Sequence, residues 1–223
     1  MDGASHIYSF YSQARDGAGN LEVESGPGGD VTATHLFAAA GLTATGIAVQ
    51  NGANRRSFVQ HLDVLFSSET GLDSLLDSGR IKVERFSIDS TSVVSGTGAP
   101  VTGFGLVRNG NKLQLDFGSS GLGGLYQAGD GFYRVLIDQD GNGEFSDGGD
   151  SAFEFHRLFG DANGDGKVDT ADLGVVTRQI GQAGPNLDGD IDGNGVVNSR
   201  DRLFTLRQRG RKLDESLLGW LDD

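Results

Sequence analysis

The chain has 223 residues, with 31 Asp and Glu against 18 Lys and Arg, a formal net charge of −13 and no cysteine. That balance argues against nucleic acid as a partner, since phosphate binding needs a basic surface. The missing cysteine excludes disulfides, thiolate nucleophiles and Cys-based zinc sites.

Glycine is abundant (37) and proline sparse (3), which favours short strands joined by tight turns. No stretch approaches the roughly 18 consecutive apolar residues of a membrane span. MDGASHIYSF lacks the basic and apolar regions of a secretory signal. Work outside the cell would therefore make this chain the tail of a longer precursor, or one lacking its true start.

In chain order, Ile7–Glu24 alternates bulky and polar residues, with Tyr8, Phe10 and Ser12 on one strand face. It turns at Asp16-Gly17 and Gly19-Asn20 and resumes a strand at Leu21 and Val23. Two strands bury no core of their own, so residues 1–24 read as the end of a preceding β module. YSFYSQARDGAGNLE resembles the closing strands of fibronectin-type or Ig-like repeats in bacterial surface proteins. Residues 25–43, opening with SGPGGD, read as a linker, with a helical turn at Leu36–Ala40.

Residues 44–157 carry all-β signals. Phe58, Leu62, Val64 and Phe66 alternate onto one face in SFVQHLDVLF, and RIKVERFSI, KLQLDF, GFYRVLID and AFEFH add strands. ETGLDSLLDSGR reads as a short helix or wide connection, and GFGLVRNG followed by NKLQLDF as a hairpin turning at Asn109-Gly110. This spacing suggests an Ig-like β-sandwich. NGANRRSFVQHLDVLF and FEFHRLFGDANGDG resemble Ig-like modules joined to a C-terminal calcium module in planctomycete-like bacteria. The expected fold class is mainly β with a small α module at the C-terminus.

Residues 158–223 change character. Against the EF-hand pattern, in which loop positions 1, 3, 5, 7, 9 and 12 supply oxygen, GDANGDGKVDTAD fills every slot. Asp161, Asn163 and Asp165 take positions 1, 3 and 5, the Lys167 carbonyl 7, Asp169 9 and Asp172 12, with Gly166 at the sharp turn. DIDGNGVVNSRD repeats the set: Asp190, Asp192 and Asn194, the Val196 carbonyl, Asn198 and Asp201, with Gly195 at the turn. The loops start 29 residues apart, and Arg178-Gln179 and Gly181 recur as Arg207-Gln208 and Gly210. Carboxylates and carbonyls without sulfur or histidine select Ca2+ over softer ions. Helical spacing follows each loop, with Leu173, Val176 and Ile180 on one face and Leu203 with Leu206 on the other helix's face. Leu213, Leu217 and Trp220 suggest a further short amphipathic helix.

Both loops end in Asp rather than the Glu usual in sensors, and neither follows an entering helix. Paired loop-then-helix units of this kind, over about 160–212, resemble the type I dockerin module. The resemblance implies two calcium ions on the positions above and a protein partner, either cohesin-like or the chain's own β-sandwich. It also implies an extracellular or cell-surface setting. Docking residues would start at loop positions 10 and 11, here Thr170-Ala171 and Ser199-Arg200, and Arg178 and Arg207 are further candidates.

A third acidic stretch, IDQDGNGEFSDGGD, places Asp138, Asp140 and Asn142 at positions 1, 3 and 5, with Glu144, Asp147 and Asp150 nearby and Gly149 at position 12. A third calcium in this β-loop and an ion-free turn both stand.

Catalytic motifs are missing: no GxSxG, P-loop or dinucleotide fingerprint. His6, His35, His61 and His156 lie far apart, each reading as a surface or rim histidine. The expectation is a non-enzymatic calcium-binding attachment protein. A non-catalytic C-terminal part of a carbohydrate-active enzyme is the alternative, although Tyr126, Phe132 and Tyr133 are too few to argue for sugar binding.

Overall fold

Strand alternation, turn glycines and a buried apolar face per strand decide the architecture. The computed structural model describes residues 6–10, 31–35, 42–76, 79–86 and 98–213. The chain divides into two units, 1–41 and 42–223.

In the first unit, β1 (His6–Phe10) pairs antiparallel with β2 (Val31–His35). β2 lies inside the stretch that reads as linker, because VTATH has the β-branched alternation that strands accept. His6 and His35, remote in sequence, are register partners. Leu21, Val23 and Leu36–Ala40 fall outside the described residues.

Among the described residues of the second unit, eight strands form two four-stranded antiparallel sheets. They are β3 (Ala44–Val49), β4 (His61–Phe66), β5 (Ile81–Phe86), β6 (Ala99–Val101), β7 (Gly105–Asn109), β8 (Lys112–Asp116), β9 (Gly131–Ile137) and β10 (Ser151–Arg157). One sheet runs β3-β4-β8-β7, the other β10-β9-β5-β6. The β7–β8 hairpin pairs Asn109 with Lys112, so its turn residues are Gly110 and Asn111, one position later than the sequence suggests. A single turn, α1 (Asp73–Leu76), fills the β4–β5 connection.

Leu62, Val64, Leu113 and Leu115 from the first sheet share a core with Val83, Val135, Ile137 and Phe155 from the second. Phe58, Leu62, Val64 and Phe66 are all buried, as their alternation predicts. Tyr133, at the start of β9, donates its hydroxyl back to the Gly129 carbonyl at 2.5 Å. Burial pushes this phenol up to about 12, which keeps it a donor.

β10 runs straight into the acidic C-terminal segment, which carries α2 (Thr170–Gln179) and α3 (Ser199–Gln208). Their core is small: Phe159, Ala162, Val176, Ile191 and Val197. Val176 faces inward as predicted, but Ile180, Leu203 and Leu206 are exposed. The buried side of α3 is instead Asp201, Thr205 and Gln208, polar groups engaged with caps and loops.

Leu115 is fully buried. Leu115→Ala is expected to lower the unfolding free energy by about 2–5 kcal/mol, measured as a shifted urea midpoint of the β unit.

Candidate metal centre

Each acidic loop folds around its first aspartate. Asp161, fully buried, accepts the Gly164 amide on Oδ1 (2.6 Å) and the Gly166 amide on Oδ2 (3.0 Å). Asp190 accepts from Asn194 on Oδ1 (3.0 Å) and Gly195 on Oδ2 (2.9 Å). Gly166 and Gly195 hold φ of 77° and 84°, the left-handed region that glycine enters at least cost.

The last residue of each loop closes it. Asp172 accepts the Ala162 and Asn163 amides on Oδ1 (2.8 and 3.2 Å) and the Asp169 amide on Oδ2 (2.8 Å). Asp201 likewise accepts from Ile191 and Asn198, both at 2.9 Å. Asp169 and Asn198 cap α2 and α3, each in a capping box with the loop's final aspartate. Asn163 and Asp165 accept the Asp165 and Lys167 amides, and Asn194 accepts the Val196 amide.

The repeats are cross-tied. Gly210 N–H donates to the Val168 carbonyl, Val168 N–H to Arg211, and Leu213 N–H to Gly166, at 2.8–2.9 Å. Shifted by one repeat, Gly181 donates to Val197, Val197 to Gln182 and Gly184 to Gly195, over the same distances. Loop one therefore closes on the tail of α3, and loop two on the tail of α2. Leu213 is buried at this junction; Leu217 and Trp220 fall outside the described residues.

A cation fits this donor set. In the second loop, carboxylate oxygens of Asp190, Asp192 and Asp201 lie within 4.8 Å of one another. Burial pushes the carboxyls of Asp172, Asp192 and Asp201 above the usual carboxylate range, and neighbouring aspartate charge pushes the same way. Such groups favour either a proton or a metal, and an all-oxygen set suits calcium.

The third acidic loop shares part of the pattern. Asp138 accepts the Gly141 amide on Oδ1 (2.5 Å) and the Gly143 amide on Oδ2 (3.0 Å), the spacing seen at Asp161. Asp138, Asp140 and Asp150 bring carboxylates within 4.8 Å of one another. Asn142 and Asp147 bond each other, with Asn142 Nδ2 donating, and Glu144 is exposed.

Of the residues read as docking candidates, Thr170, Arg178, Ser199 and Arg207 are exposed on the helices. Arg200 is partly engaged: it donates to the Tyr126 hydroxyl (3.1 Å), pairs with Asp192 (3.4 Å) and lies over the Phe204 ring.

Sequence reading missed the sandwich side of the centre. His156 is buried rather than at a rim, with Nε2 3.1 Å from Asp161 Oδ2. Asn54, Arg55, Arg56 and Ser57, in the β3–β4 connection, bond to the segments starting both loops: Arg56 N–H to the Asp161 carbonyl (3.0 Å), Ser57 Oγ to the Ile191 carbonyl (2.8 Å). Gly193 packs so closely on Phe58 that a Cβ would lie 2.0 Å from the ring. Asp130 accepts the Phe159 amide (2.7 Å) and Arg211 (2.6 Å), and the Tyr126, Phe159 and Phe204 rings meet at 5.4 Å. The one signal available was a dibasic Arg55-Arg56 pair in an acidic chain.

Truncation after Arg209 removes the three backbone bonds that close loop one and none that close loop two. Calcium titration of the truncated chain is expected to lose one binding event, and the survivor should vanish on Asp192→Ala. No curated protein and no solved structure matches the chain. Residues 159–208, the paired loops with their two helices, match the family model of the dockerin type I domain.

Proposed function

We propose that this chain is a non-enzymatic attachment protein of the cell exterior or surface. Its C-terminal module binds two calcium ions, one per loop, and docks a cohesin-like protein partner through the exposed helix faces. The duplicated loop carries this reading: carboxylates buried at both ends of each loop, cross-tied between repeats, within a segment matching the dockerin type I domain. Dockerin domains couple calcium binding to protein docking, and calcium would supply here the charge that lets both loops close.

The residues that would hold the ions are the side chains of Asp161, Asn163, Asp165, Asp169 and Asp172 with the Lys167 carbonyl, and of Asp190, Asp192, Asn194, Asn198 and Asp201 with the Val196 carbonyl. Among the described residues, two exposed surfaces are offered to a partner. On α2, Thr170, Leu173, Gly174, Thr177 and Arg178 line a shallow groove. On α3 the repeat-related face is a ridge with exposed Leu203, Leu206 and Arg207.

The β unit serves as a rigid, Ig-like support. Its sheet orders, β3-β4-β8-β7 and β10-β9-β5-β6, follow the immunoglobulin arrangement with one extra edge strand. The Tyr133–Gly129 bond supports the same assignment, since a tyrosine at this corner is a mark of such sandwiches.

Chelation of the full chain is expected to remove the helical circular dichroism of α2 and α3 while the β unit still unfolds cooperatively at its own midpoint. Unchanged helical signal after calcium removal would overturn the calcium reading. Docking is tested separately with immobilised cohesin modules. Calcium-dependent capture should fall at least about tenfold in Leu203→Asp/Leu206→Asp, whose exposed positions leave folding intact.

A further inference from the structure

Both first-position aspartates are gripped from the sandwich, but by different side chains. Asp161 Oδ2 meets an imidazole, His156 Nε2, at 3.1 Å. Asp190 Oδ2 meets a guanidinium, Arg55 Nη1, also at 3.1 Å. The same Arg55 nitrogen donates to the carbonyls of Leu187 (2.9 Å) and Asp190 (2.6 Å). Three oxygens of the second loop's entry thus surround one cationic nitrogen. Arg55 and Asp190 are 3% and 2% exposed, and Arg55 Nε is buried without a hydrogen-bond partner. A side chain that leaves a buried donor unmatched is held by its charge rather than by complete hydrogen bonding.

We infer that Arg55 is a positioning residue for the second loop: an internal counter-ion that keeps Asp190 in place without metal and lowers that loop's calcium affinity below the first loop's. This rests on the reading of the paired loops as calcium sites.

The sign follows from charge. Loop one offers four aspartates, Asp161, Asp165, Asp169 and Asp172, whereas loop two offers three, Asp190, Asp192 and Asp201. Arg55 offsets one of those three, and a guanidinium keeps its charge. A calcium ion bound through Asp190 would share that carboxylate with a fixed cation in a water-poor site, where like charges repel most. In exchange, the metal-free loop keeps its entry segment. Asp188 accepts the Asn54 and Arg55 amides (2.8 and 3.3 Å), fastening the same turn from the other side.

Calcium titration calorimetry on the full chain tests this, with Asp192→Ala identifying the second loop's transition. In the wild type the weaker event should be the one that Asp192→Ala removes. Arg55→Met should tighten that event at least about fivefold, leave the other unchanged, and lower the melting temperature in chelator, because Asp190 is then buried without a counter-charge. Arg55→Lys, which keeps the charge, should restore the weak affinity. A clamp acting only through packing would lose stability and calcium affinity together. Weaker or unchanged second-loop binding in Arg55→Met would therefore overturn the inference. Absence of any calcium binding in the wild type would instead overturn the calcium reading itself.

Discussion

Four aspartates, Asp161, Asp172, Asp190 and Asp201, sit at most 2% exposed beside a small apolar core centred on Phe159, Ala162, Val176, Ile191 and Val197. Burying a carboxylate costs several kcal/mol even after relaxation, whereas a buried Val or Ile returns about 1.5–3 kcal/mol. Two buried carboxylates per loop therefore offset a large part of what so small a core supplies. The amide bonds that each aspartate accepts satisfy its lone pairs, and Arg55 adds a counter-charge at Asp190. A bound cation would offset the charge that remains, and the segment's hydrogen bonds hold the carboxylate oxygens in place.

The cross-tying explains why the unit is duplicated. Each loop closes on its own helix through its last aspartate, but its second half pairs with the other repeat: Val168 beside Gly210 and Arg211, Val197 beside Gly181 and Gln182. One repeat alone would leave the second half of its loop without backbone partners, and unpaired buried amides carry their own penalty. Two copies solve the problem for each other. The helices add only a modest interface, and their inner faces carry as many capping and hydrogen-bonding groups as apolar ones. This is why Thr205 and Gln208 are buried while Leu203 and Leu206 are not.

Local constraints were legible in sequence, and long-range ones were not. A twelve-residue loop fixes its oxygen positions relative to its own glycine, so Asp161 to Asp172 and Asp190 to Asp201 could be read directly. Strand alternation found β4, β5, β8, β9 and β10 for the same reason. The apolar spacing of α3 misled, because it assumed that apolar residues line the inner face in a module where caps do. β2 was hidden by its glycine-rich surroundings. His156 lies five positions from Asp161, but nothing in the strand pattern marked it as turned inward. Arg55 offered only its place in a dibasic pair, since it acts on a residue 135 positions away.

That distant contact is also what makes the two repeats unequal. They share one loop pattern, and most of their hydrogen bonds correspond, including the capping boxes and the cross-ties. The sandwich breaks the symmetry at three points: imidazole against guanidinium at the first aspartates, Tyr126 on Arg200 of the second repeat, and Arg211 held by Asp130. Because these contacts enter both loops, the module is seated on the β unit through the same residues that would ligate metal. Occupancy of the loops and the grip of the sandwich are then linked in free energy: whatever orders one biases the other. A partner that docks on α2 or α3 meets helices whose orientation is already set by the sandwich behind them.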